Sequence, residues 1–243
     1  MSESASPAWV IGAGSGIGRA AALALAGRGH VFVSGRRRAE LDETVALIAQ
    51  SGGAATAVVV DVADADAVAA ASARIAARHG AIGTLVFCAG TNVAERFWST
   101  VDPGDIERVV DVNLHGAVRS VHAVLPAMRQ TGGLIVLVSS WAAWRFSPGA
   151  GAAYSMSKTA LGVLAETLNA QERVHGIRAT HFCPGEVATD ILDTRPNPPS
   201  AAERERMLTP ADVGDAIAWI ADLPARVCVN ELVLTPTSNT SYA

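Results

Sequence analysis

The sequence predicts a single α/β domain built as a doubly wound parallel sheet. Three observations carry that prediction. Short, continuous Val/Ile/Leu-rich runs alternate with amphipathic stretches along almost the whole chain, as buried parallel strands joined by crossover helices require. The 243 residues fit one undivided domain of this class. The first apolar run opens directly into a glycine-rich turn, Gly12-Ala13-Gly14-Ser15-Gly16-Ile17-Gly18, followed by a helical pattern. Right-handed crossovers between such units give a Rossmann-like winding.

Taken in order, strands are expected over 8–12, 30–34, 55–60, 84–88, 134–139, 178–183 and 231–234. Helical patterns lie between them, near 17–27, 38–50, 64–78, 104–129, 153–174 and 210–222. Asp64 and Pro210-Ala211-Asp212 read as helix starts, because acidic residues complement the orphan N–H groups there and proline suits the first turn. Gly29, Gly80 and Gly176 read as stops. No internal repeat or linker divides the chain, so one nucleotide-binding domain is expected over 1–243. The one break in composition, 192–205, is rich in Pro, Ser and charge; with its flanks at about 189–208 it is expected to form a mobile lid over the site.

Composition narrows the function classes. Half the residues are apolar and 17% are charged, enough to bury a sizeable core. A net charge of −4 argues against nucleic acid or an anionic membrane as the main partner. No apolar run reaches membrane-span length, and the short polar N-terminus has no secretory pattern. Cys88, Cys183 and Cys228 are expected to be free core thiols of a cytoplasmic protein, and no Cys or His spacing suggests a metal.

Chemistry concentrates in three places. Tyr154 and Lys158, four apart on a predicted helix, share a face, so the ammonium is expected to lie near the phenol and favour its ionised form. Ser140 stands fourteen residues before Tyr154. The glycine-rich turn offers close backbone approach and a helix N-terminus to a pyrophosphate, although its Gly-x-x-x-Gly-x-Gly spacing differs from the usual dinucleotide fingerprint. The second predicted strand ends in Ser34-Gly35-Arg36-Arg37-Arg38, with no acid before Glu40. Arginine forks bind phosphate, whereas an acid there would bind a ribose 2′-OH, so NADP(H) is the preferred cofactor, with NAD(H) or dual use as the alternative. Trp141 and Trp144 follow Ser140 and are candidate walls of an apolar, aryl-bearing substrate pocket; Glu186 either faces solvent or meets a polar substrate group.

With these residues in place, the chain resembles the short-chain dehydrogenase/reductase family across essentially its full length. The matching motifs are Gly12-x-x-x-Gly16-Ile17-Gly18, Asp61-Val62, Ala89-Gly90, Asn113, Ser140, Tyr154-x-x-x-Lys158 and Pro184-Gly185-x-Val187-x-Thr189. The resemblance implies an alcohol dehydrogenase or ketoreductase acting on a small carbonyl or alcohol. Tyr154 would exchange a proton with the substrate oxygen and Ser140 would bond it; Lys158 would lower the tyrosine pKa and bind the nicotinamide ribose. Asn113 would anchor a relaying water. Ser15 would join the phosphate turn, Asp61 and Val62 would meet the adenine, and Pro184, Gly185, Val187 and Thr189 would form the nicotinamide loop. Members commonly form tetramers, so a homo-oligomer is implied. Ile11 and Phe87-Cys88 depart from the family's usual Thr and Asn-Asn, which bears on stability more than on chemistry. A nucleotide sensor without turnover is the reading from another class, and the complete Asn113, Ser140, Tyr154, Lys158 set argues against it.

Overall fold

A computed structural model describes residues 6–239. Residues 1–5 and 240–243 lie outside the described residues.

The order is β1 (Ala8–Ile11), α1 (Gly16–Leu25), β2 (Val31–Gly35), α2 (Arg38–Gln50), β3 (Ala55–Val59), α3 (Ala65–His79), β4 (Thr84–Phe87), α4 (Pro103–Val110) and, after a π-helical turn over Asp111–His115, α5 (Gly116–Thr131). Then come β5 (Gly133–Val138), α6 (Trp141–Trp144), α7 (Ala152–Glu172), β6 (Ile177–Pro184), α8 (Ala201–Arg204), α9 (Pro210–Asp222) and β7 (Glu231–Leu234). The strands form one sheet in the order β3-β2-β1-β4-β5-β6-β7, and every pairing is parallel.

Alternation within β1 shows how the sheet is covered. Trp9 and Ile11 point into a core layer shared with Val68 and Ile75 of α3, Val121 of α5 and Leu161 of α7. Ala8 and Val10 point the other way, toward Ala21 and Leu25 of α1, Ile48 of α2 and Ile217 of α9. Both faces of the central strands are dry, which is why those strands read as continuous apolar runs, while the edge strands β3 and β7 are partly exposed. The Trp9 indole N–H is satisfied within the sheet, donating to the Ser34 hydroxyl at 2.8 Å.

The direction in which successive strands are added reverses between β1 and β4, so a crevice opens at their carboxyl ends, where ligands bind in open sheets of this kind. Asp64 caps α3 by accepting from the Ala67 N–H at 2.9 Å. Thr209, not Pro210, caps α9, in a reciprocal capping box with Asp212.

The single helix expected over 104–129 is instead two, with the π turn between them. Cys228 is exposed rather than in the core. Among the described residues, no helix is long and apolar enough to cross a membrane.

Candidate active site

A cleft of about 570 Å³ occupies the crevice. Gly12, Ser15, Gly16, Ile17 and Gly18 line it from β1 and α1, Arg36 and Arg37 from the end of β2, Asp61 and Val62 from the end of β3, and Ala89 and Gly90 from the end of β4. Thr189 closes it from the far side. The turn is a cradle that only glycine fits. A Cβ at Gly18 would stand 2.1 Å from the Gly12 carbonyl oxygen, and one at Gly12, where φ is +87°, would stand 2.6 Å from the Ala89 nitrogen. Such a bare-backbone concavity at a helix N-terminus fits a pyrophosphate. Arg19 holds the cradle to α2: it donates to the Gly14 carbonyl at 2.6 Å, the Thr44 hydroxyl at 3.1 Å and Glu43 at 2.7 Å. A basic residue one place after the motif is the only trace of this in the sequence.

The three arginines after β2 have different company. Arg38 turns back to Asp42 at 2.8 Å and Arg37 pairs with Glu40 at 3.2 Å. Arg36 has no ion pair among the described residues and lines the cleft.

Ser140, Tyr154, Lys158 and Asn113 come together at the mouth of this cleft. Ser140 follows β5 by two residues and caps α6, accepting from the Ala142 N–H at 3.2 Å, and its hydroxyl hydrogen-bonds the Tyr154 phenol. Ser139 points away; its hydroxyl donates to the Lys158 carbonyl at 2.8 Å. The π turn aims Asn113 inward, where Oδ1 accepts from the Thr91 N–H at 2.7 Å and Nδ2 donates to the Thr91 carbonyl at 3.0 Å and the Ser157 hydroxyl at 3.1 Å. A Cβ at Gly90 would lie 3.3 Å from Lys158 Nζ and 3.5 Å from Asn113 Oδ1, so glycine keeps this corner open.

Lys158 donates to the Val138 carbonyl at 2.8 Å, lies 5.9 Å from the Tyr154 ring centroid, and is pushed down to about 8 by burial. Burial raises the Tyr154 phenol above its ordinary value; the groups pulling the other way are the Ser140 hydroxyl, Arg195 and Arg96, with Lys158 not among them. Arg96 and Arg195 carried no signal in the sequence, being ninety-nine residues apart and outside every motif.

Of the residues expected to form a nicotinamide loop, Thr189 lines the cleft, and Pro184, Gly185 and Val187 do not. Pro184 ends β6, Gly185 packs on Thr235 and Pro236, and Val187 is buried in a parallel bridge to Leu208. That bridge anchors the 189–208 segment, which is also tied by Arg195 to Glu186 at 2.8 Å and by an Arg204–Asp193 pair. Glu186 is therefore engaged by that segment. The Trp144 indole N–H donates to Glu231 at 2.9 Å, which ties it to the start of β7, with the Trp141 ring tilted against it at 5.1 Å.

The same edge holds a polar cluster that no motif announced, in which ligand atoms of His181, Cys183 and Glu231 lie within 4.8 Å of one another. The Cys183 sulfur is 3.5 and 3.4 Å from the two ring nitrogens of His181, and His181 Nδ1 lies 3.1 Å from Glu231 Oε2. Burial pushes the Cys88 and Cys183 thiols up to about 12. Iodoacetamide at pH 8 is therefore expected to alkylate exposed Cys228 and spare the other two, as peptide mass mapping would show.

The short chain dehydrogenase profile matches residues 7–199 of this sequence. The chain belongs to that family. Among its relatives, sulfoacetaldehyde reductase 2 of Chromohalobacter salexigens is 33% identical over 94% of this chain and 93% of its own. The probable oxidoreductase EphD of Mycobacterium tuberculosis is 41% identical over 76% of this chain, but the match spans only 31% of EphD. Of short-chain dehydrogenase structures, the alcohol dehydrogenase of the archaeon Thermococcus sibiricus complexed with 5-hydroxy-NADP superposes with a TM-score of 0.86 at 26% identity, covering 96% of this chain and 97% of that one. A 3-oxoacyl-[acyl-carrier protein] reductase from Brucella melitensis with bound NAD gives 0.81 at 28% identity, covering 96% and 90%.

Proposed function

We propose that the protein is an NADP(H)-linked oxidoreductase interconverting an alcohol and the corresponding ketone or aldehyde of a small substrate. The observation that carries this reading is the meeting of Ser140, Tyr154, Lys158 and Asn113 at the mouth of a glycine-lined cleft. When bound, the nicotinamide supplies or accepts the hydride. Gly12, Ser15, Gly16, Ile17 and Gly18 would hold its pyrophosphate, and Asp61, Val62, Ala89, Gly90 and Thr189 would flank it. In the reducing direction, Tyr154 donates its proton to the carbonyl oxygen while Ser140 donates a hydrogen bond to the same atom. Asn113 and Lys158 stand behind as the route by which the phenol regains a proton. A phenol held above its ordinary pKa stays protonated near neutrality, which suits it as the acid in reduction.

Arg36 is the side chain that favours the 2′-phosphate. In a fluorescence titration, NADPH is expected to bind about tenfold or more tightly than NADH, equivalent to about 1.4 kcal/mol. Arg36→Gln should erase most of that ratio, and equal affinities in the wild type would reverse the choice to NAD(H). Exposed apolar residues on the long helices, Val118 of α5 and Met156 and Val163 of α7, favour a homo-oligomer, dimer or tetramer.

A further inference from the structure

His181 and Cys183 stand two apart on β6, so their side chains rise from the same face of the sheet. Glu231, the first residue of β7, is the direct cross-strand partner of His181. The backbone alone therefore gathers an imidazole, a thiol and a carboxylate at this end of the sheet. The side chains bring them closer. Cys183 Sγ lies 3.5 Å from Nδ1 and 3.4 Å from Nε2 of His181, Glu231 Oε2 lies 3.1 Å from Nδ1, and one ligand atom from each residue falls within 4.8 Å of the others. Gly162 of α7 makes room for the ring, since a Cβ there would stand 3.1 Å from His181 Cε1. His181 and Cys183 are buried, while the Glu231 side chain is half exposed and opens the cluster to solvent.

Bonds of about 2.0–2.3 Å to zinc hold tetrahedral ligand atoms about 3.3–3.7 Å apart, close to the spacings of this imidazole from the thiol and from the carboxylate. We propose that His181, Cys183 and Glu231 form a binding site for a zinc-class divalent cation, with water as the fourth ligand on the exposed side. A borderline-soft ion suits this mixed nitrogen, sulfur and oxygen set, whereas magnesium and calcium favour oxygen alone. Coordination requires the imidazole to turn about its Cβ–Cγ bond until one nitrogen faces the ion, and that torsion is soft. The ion displaces the thiol proton to solvent and takes the place of the hydrogen bond between His181 and Glu231. A thiol that burial holds up at about 12 thereby becomes a bound thiolate. Trp144 supplies outer support: its indole N–H donates to Glu231 Oε1 at 2.9 Å, leaving Oε2 for the ion. None of the three ligands lines the cofactor cleft, so this site is separate from the reaction centre.

Cobalt, which reports its ligands by absorbance, tests the site. The full chain, reduced and stripped of metal, is titrated with Co2+ and then with Zn2+. One equivalent of Co2+ is expected to raise a thiolate-to-cobalt charge-transfer band in the near ultraviolet and the intense visible bands of tetrahedral coordination, and Zn2+ should remove both. Cys183→Ser should abolish the charge-transfer band and weaken Zn2+ binding about a hundredfold or more, whereas Trp144→Phe, which strips only the outer partner, should weaken it about tenfold. Cys228→Ser removes the exposed thiol and should change neither reading. Glu231→Gln keeps an oxygen for Trp144 and should weaken Zn2+ binding about tenfold or more, so it decides the matter if Cys183→Ser does not fold. The absence of a charge-transfer band at one equivalent of Co2+ would overturn the proposal. So would a band that persists in Cys183→Ser and vanishes in Cys228→Ser, or a Zn2+ affinity that Glu231→Gln leaves unchanged.

Discussion

Replacing Tyr154 by phenylalanine is expected to lower turnover about a thousandfold while leaving NADPH affinity within a factor of about two. The phenylalanine keeps the ring and removes only the hydroxyl that Ser140 bonds. Positioned acid–base catalysis contributes about a hundred- to ten-thousandfold, and no other side chain at the mouth of the cleft presents an acid to the same oxygen. Single-turnover mixing of enzyme, NADPH and a carbonyl substrate, followed at the nicotinamide absorbance, separates this loss from binding. A loss below about tenfold would mean that the proton comes from solvent. The electrostatics give the variant further meaning. Bringing a phenol from about 10 to near neutrality needs about 4 kcal/mol. In this structure burial works against that shift, and the opposing pull comes from Ser140, Arg195 and Arg96 while Lys158 is tied to the Val138 carbonyl. Reduction, which uses the protonated phenol, needs no such shift.

The second large effect is structural. Gly18→Ala is expected to destabilise the fold by about 3 kcal/mol or more, because the new carbon would stand 2.1 Å from the Gly12 carbonyl oxygen, which is backbone and cannot swing aside. For a domain of this size that corresponds to a fall in Tm of roughly 6–12 °C. The cradle is also the pyrophosphate site, so NADPH affinity should fall at least about tenfold with it. Gly27→Ala is the control: no atom lies within 4 Å of a Cβ there, and both quantities should stay put. Differential scanning fluorimetry with and without NADPH reads the two together. An unchanged Tm in Gly18→Ala would show that the turn can open, and the cradle would lose its standing as a rigid site.

Much of this architecture was legible in the sequence because its physics is local. Each strand lies within one residue of the expected bounds at either end, since a strand buried on both faces must be an unbroken apolar run bounded by turn residues. The glycine turn was legible for the same reason, each glycine answering a steric demand a few residues away. Relations across the fold were not. The π turn splits 104–129 without altering its apolar spacing enough to show. The Val138 carbonyl that holds Lys158 and the packing of Arg96 on Gly151 depend on which segments the fold brings side by side. Likewise, α6 turns the Trp144 indole to Glu231, on a strand that enters the sheet eighty-seven residues later.

The π turn over Asp111–His115 makes Asn113 a matter of counting as much as of chemistry. Such a turn carries one residue more than the α path it interrupts, so every side chain beyond it is rotated by about 100° from where an uninterrupted helix would put it. Val109 before it and Ala117, Val121 and Val124 after it are all buried. Two apolar stripes that would otherwise be out of phase are thereby brought onto the core together. The inward amide of Asn113 sits at the seam between them. Shortening the turn by one residue, even with Asn113 kept, would dismantle the corner, because the polar group and one of the stripes could no longer face the core at once.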